Sequence, residues 1–102
     1  MRRIVAVVQP FRAQAVLQAI AELGIEACTV CEAKGYGRQK GYLDRYAGSE
    51  YSQAFLPKVE ITLWAPDGLE RKVVDRIVQA ARTGRIGDGK ILVQPVAEVI
   101  DI

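Results

Sequence analysis

The 102-residue sequence contains no histidine. Histidine is the commonest general base and the commonest transition-metal ligand, so acid–base catalysis and metal binding both lose their usual residue. The sequence also lacks an apolar run long enough to cross a bilayer, which excludes direct membrane insertion. Its net charge of +2 is too small to indicate binding to nucleic acid. The N-terminus lacks the features of a signal peptide, so we expect a cytoplasmic protein.

Cysteine is scarce, with Cys28 and Cys31 in a single Cys-Thr-Val-Cys motif. The surrounding segment, Ile25–Glu32, is predicted to be a strand, on which residues three apart point to opposite faces. Such a pair can neither close a small disulfide nor share a metal. Small, partly buried thiols are therefore favoured over a redox or zinc site.

Hydrophobic periodicity predicts one domain, residues 1–102, in the order strand, helix, strand, strand, helix, strand. The predicted elements are a strand at Ile4–Val8, a helix from Ala13 to Leu23 capped by Gly24, a strand from Ile25 to near Gly35, a strand from Pro57 to Trp64, a helix with its buried stripe at Val73–Ala81, and a strand at Ile91–Val93. We also expect an Asp67/Glu70 capping box and a short tail strand around Val99–Ile102.

This order is that of a ferredoxin-like βαββαβ fold, of the α+β class, with an antiparallel sheet and both helices on one face. The polar segment 37–55 is too long for an ordinary connection, and long loops of this kind are usually functional or disordered. RNA binding on such a sheet needs exposed aromatics on its central strands, and Trp64 is the one available.

The glycine-rich segment Thr83–Lys90 indicates a phosphate site, because glycines let backbone N–H groups approach an anion and Arg85 and Lys90 add positive charge. The segment fits most of a Walker A pattern, but Ile91 stands where that pattern needs Ser or Thr for magnesium. It also follows a helix and opens a strand, the reverse of a P-loop. We therefore predict phosphate binding without NTP hydrolysis. A glycine-rich hairpin with solvated charges is the alternative.

Four separated motifs resemble, in register and without gaps, those of the PII nitrogen-regulatory signal-transduction proteins of the GlnB/GlnK type. They are Thr83–Ile91, Tyr46–Tyr51, Lys34–Gly41 and Phe55–Val59. The resemblance covers the chain from end to end and is far more specific than a single glycine loop.

The resemblance implies a homotrimer that is not an enzyme and that senses energy, nitrogen and carbon status. It would bind ATP or ADP in clefts between subunits, with 2-oxoglutarate and magnesium beside the phosphates. The 37–55 loop would dock on a target enzyme, regulator or membrane transporter. The implied nucleotide contacts are Thr29, Gly37, Arg38, Trp64, Gly87, Asp88, Gly89 and Lys90.

The remaining roles come from the same resemblance. 2-Oxoglutarate would contact Gln39, Lys40, Gly41 and Lys58, and Gln39 would also be a metal ligand. Tyr51 and Ser49 match positions that are modified in some members. Each has a plainer interpretation: Arg38 and Gln39 as solvated loop residues, Tyr51 as a docking contact, and Lys58 as an edge-strand charge that discourages aggregation.

Several positions depart from the family's pattern. Ala47 replaces an arginine that plugs the ammonium channel, which puts channel blocking in doubt. Thr62, Trp64 and Gln9 replace a usual glutamate, valine and lysine. Asp101 occupies the first position of a basic tail, so we expect weaker ATP binding and less preference over ADP. The alternatives are a divergent paralogue serving another transporter or enzyme, with altered nucleotide preference, and a small phosphate-processing enzyme on the same fold.

Overall fold

The computed structural model describes residues 1–25, 27–35 and 56–102. Its elements are β1 (Arg2–Val8), α1 (Ala13–Glu22), β2 (Thr29–Gly35), β3 (Leu56–Ala65), α2 (Glu70–Ala81) and β4 (Gly89–Pro95), with a 3-10 turn at Pro10–Arg12 between β1 and α1. The predicted order of elements is confirmed.

The four strands form one sheet in the order β2-β3-β1-β4. All three pairings are antiparallel, with Ile4 opposite Leu63 and Val93, and Thr29 opposite Thr62. β1 and β3 are the central strands, and β2 and β4 are the edges. This is the ferredoxin-like arrangement that the sequence predicts.

The core lies between one face of this sheet and the two helices. Alternate residues of β1 and β3 point into it, among them Ile4, Ile61 and Leu63, which are fully buried. Val16 of α1 and Ile77 of α2 are also fully buried and belong to the same cluster. Burying each such side chain contributes about 1.5–3 kcal/mol, so both helices are held on this face, as predicted.

The end of α1 follows the predicted pattern. Gly24 has a φ of 81° and its N–H donates to the Ala21 carbonyl at 3.0 Å, while the Ile25 N–H donates to the Ile20 carbonyl at 3.4 Å. These two bonds form a Schellman cap, in which a left-handed residue satisfies the last carbonyls of the helix. Glycine suits this position because it has no Cβ to oppose a positive φ.

The start of α2 differs from the sequence prediction. The helix begins at Glu70, and its N-terminal flanking residue, Leu69, offers no side-chain cap. The Asp67 carboxylate pairs instead with the N-terminal ammonium at 2.5 Å, and this ion pair lowers the pKa of Asp67. Glu70 does reach back, accepting from the Gly68 N–H at 2.7 Å. The predicted capping box is wrong because Gly68, at φ 91°, keeps the chain out of the helix at that point.

Two predicted strand boundaries also need correction. β2 begins at Thr29 rather than at the predicted Ile25. Ile25 and Cys28 are apolar because both pack against the core on the path from α1 to the sheet, not because they belong to a strand. The tail forms no strand in the described chain beyond Pro95. After β4, one further backbone hydrogen bond runs from the Val96 N–H to the Met1 carbonyl at 3.1 Å. Neither described helix is long and apolar enough to span a membrane.

Candidate functional site

The glycine-rich segment connects the end of α2 to the start of β4, so a helix precedes it and a strand follows it. Gly84, Gly87 and Gly89 have φ values of 87°, 92° and 133°. These are left-handed or more extreme conformations, which side chains other than glycine rarely adopt. The glycines of the motif are therefore required by the path of the backbone.

Gly89 is further constrained by its neighbour in the sheet. It pairs with Val8 of β1, and a Cβ at this position would lie 1.9 Å from the Val7 carbonyl oxygen. A Cβ at Gly84 would meet nothing within 4 Å. Gly89 thus allows close backbone approach where the loop enters β4, whereas Gly84 supplies only a turn.

The Asp88 side chain accepts hydrogen bonds from residues at the start of the same loop. Its carboxylate accepts from the Thr83 N–H at 2.7 Å, from the Gly84 N–H at 2.9 Å and from the Thr83 hydroxyl. The hydrogen bond from the Thr83 side chain, helped by backbone N–H groups of the same segment, lowers the pKa of Asp88. The carboxylate is therefore ionised at neutral pH and acts as a cap for the loop backbone.

The Gly87 carbonyl is held by two side chains from other elements. Gln9 Nε2 donates to it at 2.8 Å and Lys58 Nζ at 2.7 Å. The chain has no cis peptide among its described residues, so the N–H of Asp88 points opposite to the Gly87 carbonyl. By holding the Gly87 carbonyl, Gln9 and Lys58 also fix the direction of the Asp88 N–H, which points away from both side chains.

Lys58 lies beneath the loop on β3. The residue is 5% exposed, and its burial lowers the pKa of the ammonium group, an effect that the nearby Asp88 carboxylate opposes. Gly35 makes room for it, since a Cβ there would lie 3.0 Å from Lys58 Cγ. The edge-strand interpretation of Lys58 is wrong, because β3 is an inner strand of the sheet and Lys58 is almost entirely buried.

The predicted nucleotide residues of the described strands share the helix-free face of the sheet. Lys90 lies opposite Val7, whose neighbours Ala6 and Val8 point into the core. Thr29 lies opposite Thr62, and Trp64, which is 39% exposed, lies opposite Arg3 on the same face. Strand alternation alone places these side chains together on one side of the sheet.

They do not meet at one point in a single chain. Lys90 is separated from Thr29 by three strand spacings and two residues along the sheet. Lys90 is separated from Trp64 by two strand spacings across the sheet and four residues along the strand direction. Both separations correspond to roughly 16 Å between Cα atoms. The structure therefore brings Gly87, Asp88, Gly89, Lys90 and Lys58 together, and leaves Thr29 and Trp64 apart from them.

Several sequence predictions fall on residues that the structure does not describe. Gly37, Arg38, Gln39, Lys40, Gly41, Ala47, Ser49 and Tyr51 lie outside the described residues, so their predicted roles stay predictions. The described residues hold no group of three or more acidic or cysteine side chains that could bind a metal. The structure adds Gln9, which sequence reasoning noted only as a departure from a family pattern. Its place directly after a buried strand, next to Pro10, is the signal that could have shown it.

Known proteins provide an independent comparison. The family model described as "Nitrogen regulatory protein P-II" matches residues 1–102. The chain is 51% identical over its full length to nitrogen regulatory protein P-II of Azospirillum brasilense, covering 91% of that protein. It is 49% identical to the Rhodospirillum rubrum protein of the same name and 50% identical to nitrogen regulatory protein P-II 1 of Escherichia coli K12, with the same coverage of each chain. Each of these relatives is named as a regulatory protein.

Proposed function

We propose that this chain, which belongs to the nitrogen regulatory protein P-II family, is a non-enzymatic trimeric regulator that binds adenine nucleotides between its subunits. The nucleotide phosphates bind the loop Thr83–Lys90. The single observation that carries the proposal is the fixed Gly87–Asp88 peptide, whose carbonyl is held by Gln9 and Lys58 and whose N–H is aimed the other way.

Preorganisation is what makes this loop suited to a phosphate. Positive φ values at three glycines and the Asp88 hydrogen bonds fix the backbone before a ligand arrives. An anion then gains N–H contacts without the full cost of ordering a free loop. Lys90, exposed on the same sheet face, supplies a charge-assisted contact.

The nucleotide site is shared between chains. Thr29 and Trp64 lie roughly 16 Å from Lys90 within one chain, so they do not form one compact site with the loop there. A neighbouring copy that presents its own Thr29 and Trp64 to the loop would complete the site. Such a head-to-tail contact generates a ring when its rotation closes, and a trimer is the ring that the family resemblance implies.

Lys58 gives the site a second ligand preference. Its buried ammonium group lies next to the loop, where the carboxylate of 2-oxoglutarate would find a cation with little competing water. A dianion beside a polyphosphate is repelled unless a cation bridges the two. We therefore infer that 2-oxoglutarate binds only with ATP and magnesium, which couples carbon status to energy status. The loop 37–55 carries this state to a target protein.

Regulation rather than catalysis fits the chemistry of the loop. Asp88 is its acidic side chain, and three donors from Thr83 and Gly84 already occupy that carboxylate. A carboxylate bound in this way and with a lowered pKa is poorly placed to take up a proton as a general base. The nucleotide then acts as a signal that is bound and released unchanged.

Isothermal calorimetry on the purified chain tests the proposal, using ATP and ADP with and without 2-oxoglutarate and magnesium. Lys90→Ala removes a charge-assisted contact of about 1.5–3 kcal/mol, so nucleotide affinity should fall tenfold or more. Lys72→Ala removes an equal charge from the exposed surface of α2 and should leave affinity unchanged. Unchanged affinity in a folded Lys90→Ala protein, or steady phosphate release from ATP, would refute the proposal.

A further inference from the structure

A second cationic site lies on the other side of the glycine-rich segment. An open groove of about 380 Å³ runs between the turn after β1 and the segment after α2. Its lining consists of Phe11, Arg12, Arg82, Thr83 and Arg85. Three arginines thus line one concavity, and the residues that line it include no acid.

The three arginines have no ion-pair partner among the residues that the structure describes. Arg2 and Arg76, by contrast, lie near Asp67 and Glu22 at 3.9 and 2.6 Å. Thr83 of the groove does contact the Asp88 carboxylate, but the oxygens of that carboxylate already accept hydrogen bonds from Thr83 and Gly84. Like charges placed together without counterions repel one another, so the groove is electrostatically incomplete.

Arg12 carries the clearest sign of a missing acceptor. Its guanidinium lies 5.6 Å from the centre of the Phe11 ring, which holds the side chain against the turn. Its Nε is buried and has no hydrogen-bond partner in the described part of the chain. A buried donor without an acceptor costs free energy, and an oxyanion in the groove would reach this guanidinium through its terminal Nη groups and not through the buried Nε.

We propose that this groove binds a small, free oxyanion with two or more negative charges, such as a phosphate or a polycarboxylate. Arginine forks match the paired oxygens of both groups, and phosphate and carboxylate share this recognition chemistry. The groove shares Thr83 and Arg85 with the phosphate loop, but Gln9, Lys58 and Lys90 line none of it. It therefore gives the protein an anion site in addition to the proposed nucleotide site.

The test is an NMR titration of the full chain without nucleotide, using inorganic phosphate and then citrate as probes. The side-chain Nε–H signal of Arg12 should shift and saturate, together with the backbone signals of Thr83 and Arg85. We expect a roughly millimolar Kd or tighter for at least one probe. The two probes distinguish the two classes of anion. Saturation with phosphate alone indicates a site for phosphate groups, and saturation with citrate alone indicates a site for polycarboxylates.

Variants separate the groove from the loop. Arg12→Gln, and independently the exposed pair Arg82→Gln/Arg85→Gln, should weaken anion binding about fivefold or more. Arg71→Gln, on the exposed surface of α2, should leave it unchanged. Lys90→Ala should also leave it unchanged, because Lys90 does not line the groove.

Two outcomes would overturn the proposal. One is a shift that grows linearly and is matched by sodium chloride at equal ionic strength, which means an adventitious ion only. The other is saturable binding that Lys90→Ala abolishes and that the arginine variants leave intact, which would place the anion in the phosphate loop.

Discussion

Replacing Gly89 with alanine should destabilise the protein far more than replacing Gly84. Gly89 has a φ of 133°, and its Cβ would lie 1.9 Å from the Val7 carbonyl oxygen and 3.0 Å from the Val7 carbonyl carbon. Because these are backbone atoms, a rotamer change cannot relieve the clash. β4 must move away from β1, or the loop must leave its path.

The size of the effect follows from these contacts. Backbone strain at such a φ costs about 1–3 kcal/mol. Moving β4 away from β1 breaks one or two ladder hydrogen bonds worth about 1 kcal/mol each, so we expect a total near 3 kcal/mol. Gly84→Ala, at φ 87° with no atom within 4 Å, meets strain alone. We expect it to cost about 1 kcal/mol.

Thermal unfolding at one fixed protein concentration measures the difference, since the proposed assembly would make Tm depend on concentration. A gap of about 2 kcal/mol corresponds to roughly 8–16 °C in Tm for a chain of this size. Urea unfolding of both variants gives the same comparison as a free energy. If Gly89→Ala is no less stable than Gly84→Ala, the close approach of the loop to β1 is wrong.

Two further predictions concern the side chains that hold the loop. The hydrogen bonds that lower the pKa of Asp88 stabilise the fold above its ordinary pKa of 3.8, and this stability is lost as pH falls through the lower native value. Asp88→Asn should therefore flatten the loss of stability that urea unfolding shows between about pH 5 and about pH 2, and an unchanged slope would contradict the Asp88 network. Lys58→Met keeps the buried stem but removes the ammonium group, so calorimetry should show ATP binding weakened, because one of the two side chains on the Gly87 carbonyl is lost, and its enhancement by 2-oxoglutarate abolished. Enhancement that survives in Lys58→Met would exclude Lys58 as the carboxylate partner.

The sequence was sufficient for the parts of the fold that depend on local patterns. Alternation at Ile61 and Leu63 identifies β3, and helical spacing followed by Gly24 identifies α1 with its cap. Each of these signals lies within a few neighbouring residues. The glycines of the phosphate loop belong to the same class, because positive φ values demand them locally.

The sequence was insufficient where a side chain's role depends on a distant partner. Gln9 and Lys58 both reach the Gly87 carbonyl, and they are 78 and 29 residues away from it in the chain. Asp67 has the spacing of a helix cap but pairs with the N-terminal ammonium, which only the sheet brings near. Ile25 fits the pattern of a strand because it packs against the core, and the core requires an apolar residue there whatever the backbone conformation.

The most direct test of the shared nucleotide site is complementation between two defective chains. Lys90→Ala damages the loop side of the site and Trp64→Ala the opposite side, and each variant alone should lose high-affinity ATP binding. When the two are unfolded together and reassembled, random mixing in a head-to-tail ring should restore about one site in four. Recovery of that fraction in a calorimetric titration is the result that we predict. A mixture that binds no better than its two components would show that no site is shared between chains.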